Sequence, residues 1–182
     1  MGRLWLSALG ADRPGIVAAM SGVLVDLGCN LEDSTMTNLQ GYFAVMLVVA
    51  APKGVNAGAL EEALEEVAGR FELVVAVRPF GDVPALGDTT APPTEPWTIA
   101  VHGADRTGIV RDVTSALADA GGNVVDLSTH LVGETDAPVY VMTLWVTLPA
   151  GAAGEGAAER IRTAAAALDV HCSVHRDEVD LL

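Results

Sequence analysis

Two short runs carry residue types that could form a binding site for a small charged molecule: Asp12-Arg13-Pro14-Gly15-Ile16-Val17 and Asp105-Arg106-Thr107-Gly108-Ile109-Val110. Each lies between a short apolar stretch and an apolar periodicity of helical spacing, so each reads as a loop entering a helix. A helix start exposes N–H groups with no intrahelical partner, and these, together with the macrodipole, attract an anion. A ligand carboxylate suits that position. Gly15 and Gly108 allow the backbone close to such a ligand, because a Cβ there would intrude on it. Asn30 and Asn123 follow helix-ending glycines and open the next strand; their amides offer both donors and an acceptor, which suits a zwitterion. The same residues also fit a purely architectural role, with Asp12 and Asp105 capping helices, the glycines satisfying turn geometry and the asparagines holding the turns after Gly28 and Gly121.

The elements that position these residues occur twice. Gly10 and Gly103 begin the two related runs, and the same offset of 93 positions carries Leu24, Asp26, Gly28, Asn30 and Asp33 onto Leu117, Asp119, Gly121, Asn123 and Asp126. A period this long is that of a small domain and not of a solenoid repeat. In the first copy Leu4 to Leu9 reads as a strand, and Ile16, Val17, Met20, Val23, Leu24 and Leu27 form a helical stripe that Gly28 ends. Cys29 to Leu39 and Tyr42 to Ala51 form a hairpin about Gln40-Gly41, with Leu31, Asp33, Thr35 and Thr37 on one side of the first strand. A second helix through Leu60, Leu64, Val67 and Ala68 precedes a strand from Phe71 to Val77.

The second copy repeats the order: strand Trp97 to His102, helix Gly108 to Ala120, hairpin strands Asn123 to Val132 and Val139 to Leu148, a helix near Glu155 to Leu168 and a strand Val170 to Arg176. The fold class is therefore α+β, two tandem ferredoxin-like βαββαβ domains, each an antiparallel four-stranded sheet with helices on one face. The expected boundaries are 1–80, a Gly/Pro/Asp/Thr-rich linker 81–95, and 96–182.

Asp12-Arg13-Pro14-Gly15-Ile16-Val17 with Gly28-Cys29-Asn30, and Asp105-Arg106-Thr107-Gly108-Ile109-Val110 with Gly121-Gly122-Asn123, resemble the ACT domain. The tandem layout is similar to that of the glycine cleavage system transcriptional repressor family. The resemblance implies a module that binds a small amino acid where two modules meet, using the loop after the first strand and the start of the second. Its candidate ligand-binding residues here are Asp12, Arg13, Gly15 and Asn30 in one copy and Asp105, Arg106, Gly108 and Asn123 in the other. It further implies regulation of a protein partner, a transcription factor or an enzyme, with any effect on transcription exerted through a protein and not through DNA. Alternatives are a ligand-free interaction module and a detached regulatory subunit of a biosynthetic enzyme.

Composition narrows the rest. A formal net charge of −14 with only 10 Lys+Arg opposes direct nucleic-acid binding. The Gly41-Tyr42-Phe43 echo of an RNA-stacking strand is not repeated at Tyr140. Although 51% of residues are hydrophobic, no apolar run approaches the roughly 18 residues needed to span a bilayer, and the N-terminus runs straight into the first module, so a cytoplasmic protein without membrane contact is expected. Open sheet edges suggest a homo-oligomer.

No nucleophile stands beside an oriented base, no phosphate-binding Gly-Lys loop occurs, and neither an enzyme nor a cofactor is expected. Cys29 lies near the proposed site, as a reactive or a buried thiol. His171 and His175, with Cys172, have metal-like spacing, but on a strand four residues span about 13 Å, too far to share an ion, so no metal is expected. His102, standing where the first copy has Leu9, could face a ligand or be partly buried.

Overall fold

The structure is a computed structural model that describes residues 2–81, 93–133 and 138–177. It divides into two compact units, Met1–Ala85 and Leu86–Leu182. The first contains β1 (Gly2–Ala11), α1 (Ile16–Asp26), β2 (Asn30–Leu39), β3 (Tyr42–Ala51), α2 (Ala57–Phe71) and β4 (Val74–Pro79). The second contains β5 (Thr94–Ala104), α3 (Ile109–Asp119), β6 (Asn123–Val132), β7 (Val139–Pro149), α4 (Ala152–Ala167) and β8 (His171–Arg176). Each sheet is antiparallel, in the order β2-β3-β1-β4 and β6-β7-β5-β8, so the first strand of each βαββαβ unit is central.

Alternation along the strands decides which face meets the helices. Leu4, Leu6 and Ala8 of β1 and Phe43, Val45, Leu47 and Val49 of β3 are buried, and they pack with Ile16, Met20 and Leu24 of α1 and Leu60 and Leu64 of α2. The second core repeats this with Trp97, Ile99, Val101, Met142, Leu144 and Val146 against Ile109, Val113, Leu117 and Ile161. The stripe expected on α1 is thus narrower than its apolar residues: Val17 points outward and is 53% exposed.

Three local readings are corrected. A bulge between Leu31 and Asp33 places Leu31 opposite Val49 and Asp33 opposite Val48, so the two lie on different faces, and Leu31 joins Ser34 and Met36 on the helix side. Phe71 ends α2 instead of opening β4; it is buried in the core, and Glu72 then turns in the left-handed conformation at φ 58°. The third lies at the start of β5, where Thr94 and Glu95 pair with Pro149 and Leu148, so both belong to the sheet and not to the linker. The rest of the expected linker lies largely outside the described residues, as does the centre of the second hairpin loop.

The Gln40-Gly41 turn joins β2 and β3 with both residues at positive φ, 52° and 86°, as a two-residue hairpin requires. Gly154, in the first turn of α4, has its missing Cβ directed at the carbonyl oxygen of Pro149. A methyl group there cannot be accommodated without moving backbone. Gly154→Ala should therefore destabilise the second unit by about 1–3 kcal/mol in urea unfolding.

Candidate functional site

Both loops enter their helices through a backbone conformation that only glycine adopts readily. Gly15 has φ 97° and Gly108 φ 105°, each at the N-cap, and neither helix receives a side-chain cap. The amides of the first helical turn thus keep their donors without intrahelical acceptors. Space is not the constraint at Gly15, because an added Cβ would meet only Phe71 Cζ at 3.7 Å. Backbone conformation is what demands glycine there. Close approach is the constraint earlier in each motif: a Cβ at Gly10 would lie 2.7 Å from Leu73 Cδ2, and one at Gly103 would lie 2.9 Å from Val170 Cγ1. Gly10 and Gly103 thus let the last strand of each unit enter against the first, a role that the repeat alone does not disclose.

Asp12 does not cap α1. Its Oδ2 accepts a hydrogen bond from Asn38 Nδ2 at 2.7 Å, while its own N–H donates to the Gly41 carbonyl at 2.8 Å, tying the loop to the β2–β3 turn. The second unit has Leu131 where Asn38 would fall, so Asp105 lacks that tie. Tyr140 there takes the place of Phe43 beside the first-strand glycine. Burial raises the Tyr140 phenol above its ordinary range, a hydrogen bond with Thr129 opposes the shift, and the Asp105 charge adds to the increase. This placement of Tyr140 is visible only once the register of β5 against β7 is known.

Arg13 and Arg106 do the same work in both units. Arg13 Nη2 donates to Glu72 Oε2 at 2.9 Å, and Arg106 Nη2 donates to Asp169 Oδ2 at 3.0 Å; Arg106 Nη1 also reaches the Leu168 carbonyl at 3.2 Å. Each partner is the left-handed residue after the second helix, Glu72 at φ 58° and Asp169 at φ 56°. Both ion pairs are well exposed, so Arg13→Ala should cost no more than about 1 kcal/mol in thermal or urea unfolding.

The asparagines stand elsewhere. Asn30 pairs with Ala50, which pairs with Arg3 at the beginning of β1, whereas the loop leaves β1 after Ala11, beside Tyr42 and Leu39. Eight residues of strand, about 26 Å, separate those two rows. Asn123 is placed likewise, opposite Thr147 and far from Ala104. Within one module Asp12, Arg13 and Gly15 come together, as do Asp105, Arg106 and Gly108, but Asn30 and Asn123 lie at the opposite ends of their sheets.

Beside the loop end of the first unit, an apolar groove of about 140 Å³ runs between α1 and the edge of the sheet, lined by Val17, Met20, Leu31, Met36 and Phe43 among others. The open face of that sheet is also apolar, with Leu9, Tyr42, Met46 and Val74 exposed. Cys29 is buried, and desolvation pushes its thiol pKa up; Cys172 is shifted in the same direction by burial, opposed by Arg162. Both thiols should therefore react slowly with Ellman's reagent at neutral pH and faster as pH rises. Phe43 is buried and only Tyr42 is exposed, so no aromatic pair is presented for base stacking. Among the described residues no three His, Cys, Asp or Glu side chains converge as a metal site, and no helix is long and apolar enough to cross a membrane.

The two-loop, two-sheet plan is shared with known proteins. The ACT domain family matches residues 3–78 and, separately, residues 97–147. The chain is 40% identical over 79 residues to a UPF0237 protein of Methanopyrus kandleri, covering 43% of this chain and 88% of that protein. It is also 40% identical over 73 residues to a UPF0237 protein of Pyrobaculum aerophilum, covering 40% and 81%. In fold it is similar to an unknown protein from Galdieria sulphuraria, with a TM-score of 0.80 at 24% identity over 97% of this chain and 99% of that one. It is likewise similar to a candidate glycine cleavage system transcriptional repressor, with a TM-score of 0.67 at 16% identity over 97% and 98%. From its duplicated loops to its two βαββαβ sheets, the chain belongs to the ACT domain family and carries two ACT domains in tandem.

Proposed function

We propose that this protein is a non-enzymatic regulator that binds a small amino acid through its Asp-Arg-x-Gly loops and passes the bound state to a protein partner. The observation that carries this reading is the pair of uncapped helix starts behind Gly15 and Gly108. Each offers amide donors to a carboxylate, within a family whose modules commonly bind amino acids. Asp12 and Asp105 supply an acceptor for the ammonium group, and Arg13 and Arg106 fix the loop against the following corner rather than holding the ligand. Asn30 and Asn123 stand at the far ends of their sheets from these loops, so neither serves a ligand held by the loop of its own module.

Regulation needs a ligand that binds two partner-states unequally. The partner is a transcription factor or an enzyme, and glycine and serine are the first ligands to test. Calorimetric titration of the full chain with the amino acids, followed by affinity capture of partners with and without the ligand that binds, tests this function. Heat from at least one amino acid and a ligand-dependent change in capture support it. The exposed apolar face at Leu9, Tyr42, Met46 and Val74 favours a second reading, a ligand-free interaction module, and that reading stands if no amino acid binds.

A further inference from the structure

All four histidines of the chain, His102, His130, His171 and His175, belong to the second unit and lie on the sheet face that turns away from its helices. The register sorts them. His102 of central β5 is directly opposite His171 of β8, and their ring centroids are 4.6 Å apart at an interplanar angle of 55°. His130 lies in the same row but beyond Val141, about 10 Å from His102 across two strand spacings, and its Nε2 is 2.9 Å from Ser128 Oγ. His175 stands opposite Thr98, about 13 Å along β8 from His171.

The geometry points to a surface site for a late first-row divalent cation, Zn²⁺, Ni²⁺ or Cu²⁺, held by the facing imidazoles of His102 and His171. An imidazole nitrogen sits about 2.0–2.1 Å from such an ion, which puts the ring centroid about 3.2 Å from it; two rings at coordination angles of 90–110° then have centroids about 4.5–5.2 Å apart. The observed 4.6 Å falls in that interval. Both histidines are exposed, so core packing does not account for them, and the equivalent positions of the first unit are the apolar pair Leu9 and Val74. The second unit therefore differs on both sides of a single cross-strand contact, and both differences introduce a nitrogen ligand. The chain's charge of −14 favours the approach of a cation. Since no third ligand converges among the described residues, the pair fills two positions, and water or a group from another molecule fills the others.

The first unit supplies the variants for the test. His102→Leu and His171→Val install the residues that this fold already carries at Leu9 and Val74; His130→Gln and His175→Gln are the controls. The full chain is titrated with Zn²⁺ and with Ni²⁺ at about pH 7.5, where imidazole competes well for metal, by calorimetry and by imidazole ¹⁵N chemical shifts. The expected result is one ion per chain, shifts confined to His102 and His171, and a loss of affinity of about tenfold or more in either of the first two variants but in neither control. Absence of binding, shifts centred on His130 or His175, or unchanged affinity in His102→Leu and His171→Val would overturn the assignment. The shifts are read on the unmodified chain, so the result stands even where a variant folds poorly.

Discussion

Gly15→Val is expected to remove amino-acid binding at the first loop, and Gly108→Val at the second, each weakening the affinity measured by calorimetry by at least about tenfold, or 1.4 kcal/mol. The reason is conformational. At φ 97° and 105° these residues occupy a region that a β-branched side chain adopts only under strain, so valine drives the loop toward negative φ and re-aims the first helical amides. A Cβ at Gly15 would lie 3.7 Å from Phe71 Cζ, so steric conflict adds little there, and the unit should keep its helices by circular dichroism while losing about 1–2 kcal/mol of stability. A loop that binds its amino acid unchanged with valine at this position would show that these helix starts are not the ligand's anchor. Because Thr107 replaces Pro14 in the second loop, the two variants need not affect the same ligand.

The largest stability effect should come from the centre of each sheet. Leu6 of β1 and Ile99 of β5 occupy equivalent positions, both fully buried between a β-sheet and two helices. Leu6→Ala or Ile99→Ala should cost about 2–5 kcal/mol through lost burial and the cavity left behind. Against the roughly 5–15 kcal/mol that holds a domain folded, that is a large share. Amide hydrogen exchange is the measurement: Leu6→Ala should lower protection through β1 to β4 and leave β5 to β8 near their original values, with the converse for Ile99→Ala. A loss below about 1 kcal/mol would mean that these positions are not the packing centres described.

Much of the fold is legible in the order of residues alone. The 93-position repeat and the period switch from strand to helix reveal two βαββαβ units, because duplication and apolar spacing are properties of the sequence itself. What stays hidden depends on pairing between distant strands. Leu31 and Asp33 share a strand face under simple alternation, and only the bulge opposite Val48 and Val49 separates them. Phe71 has the look of a strand residue, but a core position at the end of α2 claims it.

The candidate site divides along the same line. Gly15 and Gly108 are identifiable because a loop entering a helix has a local signature. The distance of Asn30 from Asp12, the Asn38 hydrogen bond that takes Asp12 away from capping, and the facing of His102 with His171 all follow from register. His171 and His175 stand out through their sequence spacing, yet the neighbour that matters to His171 is His102, 69 residues earlier in the chain.

Each core cluster draws its residues from its own unit, and this gives the duplication a practical meaning. A substitution in one core removes contacts from that half alone, so the two halves can diverge at their surfaces separately. The exchanges Pro14 for Thr107, Phe43 for Tyr140 and Leu9 for His102 fit such a divergence. One chain can thereby present two modules of the same fold with dissimilar surfaces.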